Sequence, residues 1–435
     1  MTGTDPGTQR SAAPANPDDP ARHGDRSGSS RRRRLLVIGS LYLVSDIGYS
    51  FFLAALGTIL LSRGVSLNTV ALINLLGMIY FARFLIGPLV DRFGSPRLGH
   101  YRGWLVLTQI AMILILAGVA LLDPIANLAA VLALLTAVLA LSAFHDTAIN
   151  GLAVRMLPAA DHGIANGIQV AAASLSIIIG SGGALLLYAR AGWTTTLFAL
   201  AAVFGIPLLV LARLAEPPAG RPERGAAQWL ALFSFFRRRR TATWTVLVIP
   251  LFVLGDWLAN VPQSPMLLAA GWSLDRIAFV QYTLATGTQI LAALAAGAAI
   301  TRYGRTRPAL VAGVLAVAAT AALLPLATGH DSPGLTTAAL IAGAVAYGAK
   351  LTWVSTVSMD LARKSSAATD VTLPMSMVGI LRIVVSSAGL GLVARVGYPW
   401  LIGAAVFFAV AGTAVALAWT RTQLERQPVS SGGWT

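Results

Sequence analysis

The chain contains no cysteine, which excludes a disulfide framework, a thiolate metal site and a cysteine nucleophile. Lysine is nearly missing as well: Lys350 and Lys364 are its two instances, so the 32 basic residues are almost all arginine. Charge of either sign is scarce, at 11% of the 435 residues against 56% hydrophobic. A water-soluble chain of this length needs far more charge to cover its surface, so lipid has to be the missing solvent. A phosphate-cradling Gly-x-x-x-x-Gly-Lys-Ser/Thr loop is absent, which rules out ATP as an energy source within the chain. A membrane-embedded enzyme acting on lipid-linked substrates needs a sizeable catalytic loop, or a paired-acid or His-rich motif, and none is present. A sensor subunit would need a fused signalling domain, which the short tails do not supply.

What is there is a series of apolar runs long enough to span a bilayer. The expected spans, helices one to twelve, are 35–61, 68–90, 103–122, 128–150, 164–188, 193–213, 244–268, 276–300, 309–328, 335–359, 374–394 and 400–420. Breaks fall at turn-forming clusters such as Asp123-Pro124, Arg190 to Trp193 and Gly329 to Gly334. The first run is too long for a signal peptide and reads as a membrane helix with a cytoplasmic N-terminus. Residues 1–34 form a basic cytoplasmic tail expected to be disordered, 35–213 a first six-helix bundle, 214–243 a cytoplasmic linker, 244–421 a second bundle and 422–435 a cytoplasmic tail.

Basic residues support that orientation. With the N-terminus inside, the outer loops receive Arg63, Arg190, Arg276 and Arg395, and the spans hold Arg83, Lys350 and Arg382. Every other lysine and arginine falls in a tail, in a cytoplasmic loop or, for Arg213, at the cytoplasmic end of a span, as the positive-inside rule requires. This accounts for the formal charge of +15 without nucleic acid as a partner. The run Arg237 to Arg240 reads as an interfacial anchor on anionic lipid.

The two bundles carry a repeat. Gly87-x-x-x-Asp91-Arg92-x-Gly94 lies after helix two, and Gly297-x-x-x-Thr301-Arg302-x-Gly304-Arg305 lies after helix eight, at an offset of 210 residues. The same offset carries Asp46 to Asp256 and Asn150 to Asp360. Three coincidences point to a duplicated six-helix unit with substrate between the halves. The glycines permit tight reversals, while Asp91, Arg92, Arg302 and Arg305 can pair with helix ends or with the other half and so hold one state of a carrier. The plainer reading is a basic loop with a turn.

These residues carry a resemblance. The loop Gly87, Asp91, Arg92, Gly94 is similar to the signature of the major facilitator superfamily. More narrowly, the chain resembles the AmpG-type permeases, and within them siderophore permeases of the RhtX/FptX kind. The similar stretches include 84–92, 102–105 with Gln109, 145–155, Gly163 with 166–170, Gly255-Asp256 and 369–373. Asn150 and Val253 depart from the pattern, standing where related chains often have an acid and a lysine. The resemblance implies an all-α membrane fold of two pseudo-symmetric bundles, in which helices one, four, seven and ten line a central cavity. It implies proton-coupled uptake of a medium-sized polar solute, with a siderophore as the leading candidate and a muropeptide permease or a drug/proton antiporter as alternatives.

Ionisable groups at bilayer depth are costly and each needs a reason. Asp46, Asp146, Asp256 and Lys350 fall on the four helices named, with Arg83 and Arg382 as further cations. Together they are the expected proton and substrate pathway. Arg83 could instead snorkel or pair structurally, and Lys350 could pair statically with an aspartate. Asp256, Asn260 and Gln263 put a polar stripe on helix seven, which Pro262 and Pro265 should kink. His145 beside Asp146 offers a proton relay. Tyr42, Tyr49, Phe51, Phe52, Trp257, Tyr282, Tyr347 and Trp353 are packing residues or stacking surfaces for a ring-bearing solute. Gly180, Gly182 and Gly183 with Ser176 and Ser181 should let helix five approach a neighbour closely. No metal or cofactor is expected. The partners are a small organic solute, protons and membrane lipid, with the protein a monomer in a bacterial cytoplasmic membrane.

Overall fold

A computed structural model describes residues 20–66, 69, 70, 73, 76–95, 97–212, 214, 216 and 229–423. Most of the expected tails, part of the linker and much of the start of helix two lie outside the described residues.

Ten helical elements among the described residues are long and apolar enough to cross a membrane. One of them, Ala159–Ala212, holds two spans: at Gly192 the backbone turns to φ 76°, which glycine tolerates, and separates helix five from helix six. Helix two is broken into a 3₁₀ turn, Gly77–Ala82, that continues as Arg83–Arg92. With it the spans number twelve, as two bundles of six.

Two boundaries differ from the expectation. The first segment of helix one is Pro20–Ser45 and the membrane span runs on from Arg31 to Ser62, so residues 20–34 are helical where a disordered tail was expected. Proline fits a first helical turn because its missing N–H would be unpaired there anyway. Helix seven begins at Arg239, and a separate nine-residue helix, Trp229–Arg237, occupies part of the linker. Helix seven does break at its prolines: Ile249–Asn260 ends in a turn before Gln263–Ala269.

Each bundle has its own core. The first is built on Phe51, Phe52, Trp193 and Phe204. The second is built on Trp244, Phe252 and Trp353, with Trp244 and Trp353 edge to face at 5.3 Å and Phe252 and Trp353 at 5.0 Å. Helix one and helix five are joined where both carry π turns, Phe51–Leu56 and Ile178–Gly183. Ser176 donates to the Leu43 carbonyl at 2.5 Å, Ser181 donates to that of Ser50 at 3.3 Å, and Gly180 lies against the Ile47 carbonyl. Gly182 meets nothing, so of the three glycines Gly180 is the one that makes the close approach.

The halves meet along two seams at the end of the molecule that carries the repeated loops. On one, helix two crosses the start of helix eleven, and a Cβ on Gly87 would stand 2.7 Å from the Thr369 Cα. On the other, helix eight crosses the start of helix five, and a Cβ on Gly297 would stand 2.6 Å from the Gly163 carbonyl oxygen. A side chain at either position would push the halves apart. That is a physical reason for glycine at the same place in both repeats.

Candidate functional site

In the first half a buried polar network ties helices one, two, four and five together. Arg83 donates to Asp146 Oδ2 at 2.7 Å, and Asn150, one turn along helix four, donates to the same oxygen at 3.2 Å. Ser45 donates to Asp146 Oδ1 at 3.2 Å. Asn150 in turn accepts from the Tyr42 hydroxyl at 2.9 Å and from Gln169 at 3.3 Å. Among the described residues no cation pairs with Asp46; the Tyr80 hydroxyl donates to it at 2.6 Å, and Arg83 reaches the same hydroxyl at 3.4 Å. Helical spacing explains the grouping, since Asp146 and Asn150 share a face at i, i+4 and Tyr80 and Arg83 share one at i, i+3.

The second half holds a simpler arrangement. Lys350 Nζ donates to Asp256 Oδ2 at 2.5 Å, and the ammonium lies 4.4 Å from the centre of the Phe252 ring. Lys350 is fully buried, and the Asp256 side chain is 10% exposed. A buried ammonium needs both a counter-charge and a polarisable surface, and helix seven presents the two one turn apart at Phe252 and Asp256. The polar stripe beyond Asp256 turns away from this pair: Asn260 donates to Gln263 at 3.4 Å, as does Gln281. Arg382 joins neither cluster, and no carboxylate pairs with it among the described residues.

The repeated loops close the seams in two different ways. Asp91, buried, accepts from the Ala368 and Thr369 backbone N–H at 3.1 and 2.8 Å, from the Thr369 hydroxyl at 2.6 Å and from the Tyr101 hydroxyl at 2.6 Å. A carboxylate of one half therefore caps the first turn of helix eleven in the other, where unpaired amides and the helix dipole favour negative charge. The matching position in the second repeat is Thr301, which bonds back to the Gly297 carbonyl. Arg305 does the work there. It holds Asp360 at 2.9 Å and donates to the Ala159 carbonyl of the first half at 2.9 Å, while Asp360 contacts His162 Nδ1 at 2.8 Å.

Several expectations need correcting at this level of detail. Arg92 and Arg302 are exposed and lie over their own neighbours, Phe93 at 5.2 Å and Tyr303 at 5.4 Å, so neither bridges the halves. Gly94 makes room for the His100 ring, and Gly304, at φ 79°, ends helix eight; both shape loops and touch no partner half. Both ring nitrogens of His145 are buried without a hydrogen-bond partner, so no relay connects it to Asp146. Asn150 and Asp360, related by the repeat, do different jobs, one inside a bundle and one at a seam. The Tyr282 side chain lies outside the described residues.

Thr369, Tyr101, His162 and Ala159 escaped the sequence reading. The one signal for them was position: each sits in a first helical turn or just before one, where free N–H groups or a loop carbonyl await a partner. Away from the membrane, Asp123 accepts from the Ala126 and Ile125 N–H groups at 2.8 Å each, which holds its carboxyl below the ordinary range.

Comparison with known proteins bears on this arrangement. The chain is 29% identical over 258 residues to the anhydromuropeptide permease of Escherichia coli strain K12, a match covering 58% of this chain and 52% of that protein. It is 23% identical over 293 residues to the putative transporter AmpG 4 of Rickettsia felis, covering 65% and 71%. The match thus spans about half the length of the first of these relatives. Among solved structures, the human organic anion transporter MFSD10 superposes with a TM-score of 0.70 at 14% identity, covering 89% of this chain and 99% of that one. The E. coli fucose:proton symporter FucP superposes with a TM-score of 0.65 at 15% identity, covering 90% and 99%. These likenesses establish the fold. The family profile described as Major Facilitator Superfamily matches residues 38–381, and this chain belongs to that superfamily.

Proposed function

We propose that the protein is a proton-coupled permease that takes up a muropeptide-like solute by alternating access. The observation that carries this reading is the placement of charge. Each half holds its own ion pair inside the membrane, Arg83–Asp146 and Lys350–Asp256, and the hydrogen bonds that join the halves, including Gln289 donating to Ser174 at 3.2 Å, involve neither pair. Rocking of one rigid bundle against the other fits that division. The arginine bias puts the closed end in the cytoplasm of a bacterium, which makes this conformation the one with its inner gate shut.

The relatives support a muropeptide over the siderophore first expected from motif likeness, since a permease of anhydromuropeptides is among them. Asp256 is the proposed proton carrier. It is the carboxylate whose partner is a single ammonium, so a proton taken up by Asp256 would free Lys350 and loosen helix seven from helix ten.

The test is uptake of a labelled anhydromuropeptide into proteoliposomes under an imposed proton gradient. Wild-type protein is expected to accumulate the label. D256N, destabilised because it leaves Lys350 unpaired, should still insert but lose gradient-driven accumulation, and D256N combined with Lys350→Met should regain stability without regaining accumulation. Accumulation that persists in D256N removes Asp256 from coupling, and uptake of a ferric siderophore with none of the muropeptide overturns the substrate assignment.

A further inference from the structure

Arg382 stands out among the charges inside the membrane. Arg83, Asp146, Lys350 and Asp256 neutralise one another in pairs, whereas the Arg382 side chain is exposed and pairs with no carboxylate among the described residues. Its direction follows from its own helix. Seven residues before it, Met375 accepts from Ser355 of helix ten through its sulfur at 3.7 Å. Seven residues after it, a Cβ on Gly389 would lie 2.9 Å from the Val261 side chain at the end of helix seven. Positions seven apart share a helix face, so Arg382 looks toward helices seven and ten. The far side of helix eleven, with Leu373, Met377 and Ile380, lines an apolar groove beside Phe233 and Phe236 of the linker helix. In the first half, Tyr49 of helix one stacks on Tyr80 with ring centroids 4.6 Å apart.

We propose that Arg382 is the anion-binding residue of the transport pathway, and that the carried solute presents a carboxylate or phosphate to it. A guanidinium at this depth is costly unless it is hydrated or paired, and a charged oxygen pair fits its planar fork in a way that lysine cannot match. The inference rests on the carrier reading but not on the muropeptide assignment.

The test uses full-length protein in detergent. Thermal stabilisation is measured with N-acetyl-alanyl-alanine as the free acid, with its carboxamide and with inorganic phosphate, each against chloride at equal ionic strength. Wild-type protein should bind at least one of the two anions roughly tenfold or more tightly than the carboxamide. R382Q should lose that preference and R382K should keep part of it. The stronger of the two anions identifies the solute's charged group. Equal responses to anions and carboxamide in wild type, or an undiminished preference in R382Q, overturn the proposal. Anion preference that depends on Arg382, in a protein that fails to take up muropeptide, upholds the anion site and removes the muropeptide reading alone.

Discussion

The two halves descend from one pattern yet secure their buried charges differently. In the first, the Asp146 carboxylate is shared among Arg83, Ser45 and Asn150, and Asn150 is itself held by Tyr42 and Gln169. In the second, Asp256 and Lys350 face each other beside Phe252, with no comparable ring of hydroxyls and amides among the described residues. Asp46 and Asp256 occupy the same place in the repeat, but a tyrosine hydroxyl serves one and an ammonium serves the other. A network can redistribute its hydrogen bonds when one member changes, whereas a lone pair leaves an orphaned charge. Under the proposed mechanism the first half stays as it is and the second is the one switched.

Removing one member of each arrangement sharpens this contrast. The largest effect is expected from Lys350→Met, which strands Asp256 and should cost about 3–5 kcal/mol of stability, read by thermal unfolding in detergent. Adding Asp256→Leu should recover most of that loss without restoring uptake, because two apolar groups then meet where two charges did. Loss of stability in the double variant as large as in the single one would break the contrast. Arg83→Gln should cost less, about 1–2 kcal/mol, since Ser45 and Asn150 still serve Asp146.

The seams give the next effects. Asp91→Ala removes a carboxylate from the start of helix eleven and should shift the population toward opening of the closed end by roughly tenfold. The cysteine-free chain suits the measurement, because single cysteines introduced at that end can be labelled without background. No change in labelling would remove Asp91 from the gate. Thr369→Val deletes one of the four groups that donate to Asp91, and the shift should shrink to roughly fivefold or less.

Much of this was legible in the sequence, for identifiable reasons. Lengths of apolar run mark the spans, and scarcity of charge makes each intramembrane ion conspicuous, so Arg83, Asp146, Asp256 and Lys350 could be named before their partners were known. Which ion meets which could not be read, because helices 60 to 100 positions apart in sequence bring their side chains together by packing that no local period encodes. The repeat misled in one respect. It suggested two equivalent gates, but Thr301 stands where Asp91 does, and the second half recruits Arg305 and Asp360 instead. Basic loop residues were weighted too evenly: Arg305 reaches across a seam, whereas Arg92 and Arg302 rest on their own loops. Helix two was expected as one regular span over 68–90, and its 3₁₀ turn at Gly77–Ala82 was not legible in the sequence.

The cap that Asp91 places on helix eleven has a consequence for speed. When the halves part at that end, water can replace the carboxylate at the helix terminus and can hydrate the carboxylate in turn, so both surfaces exchange one set of hydrogen bonds for another. A latch of that kind resists separation by only about 1.5–3 kcal/mol. Thermal motion can undo it within each cycle, without needing a stored spring.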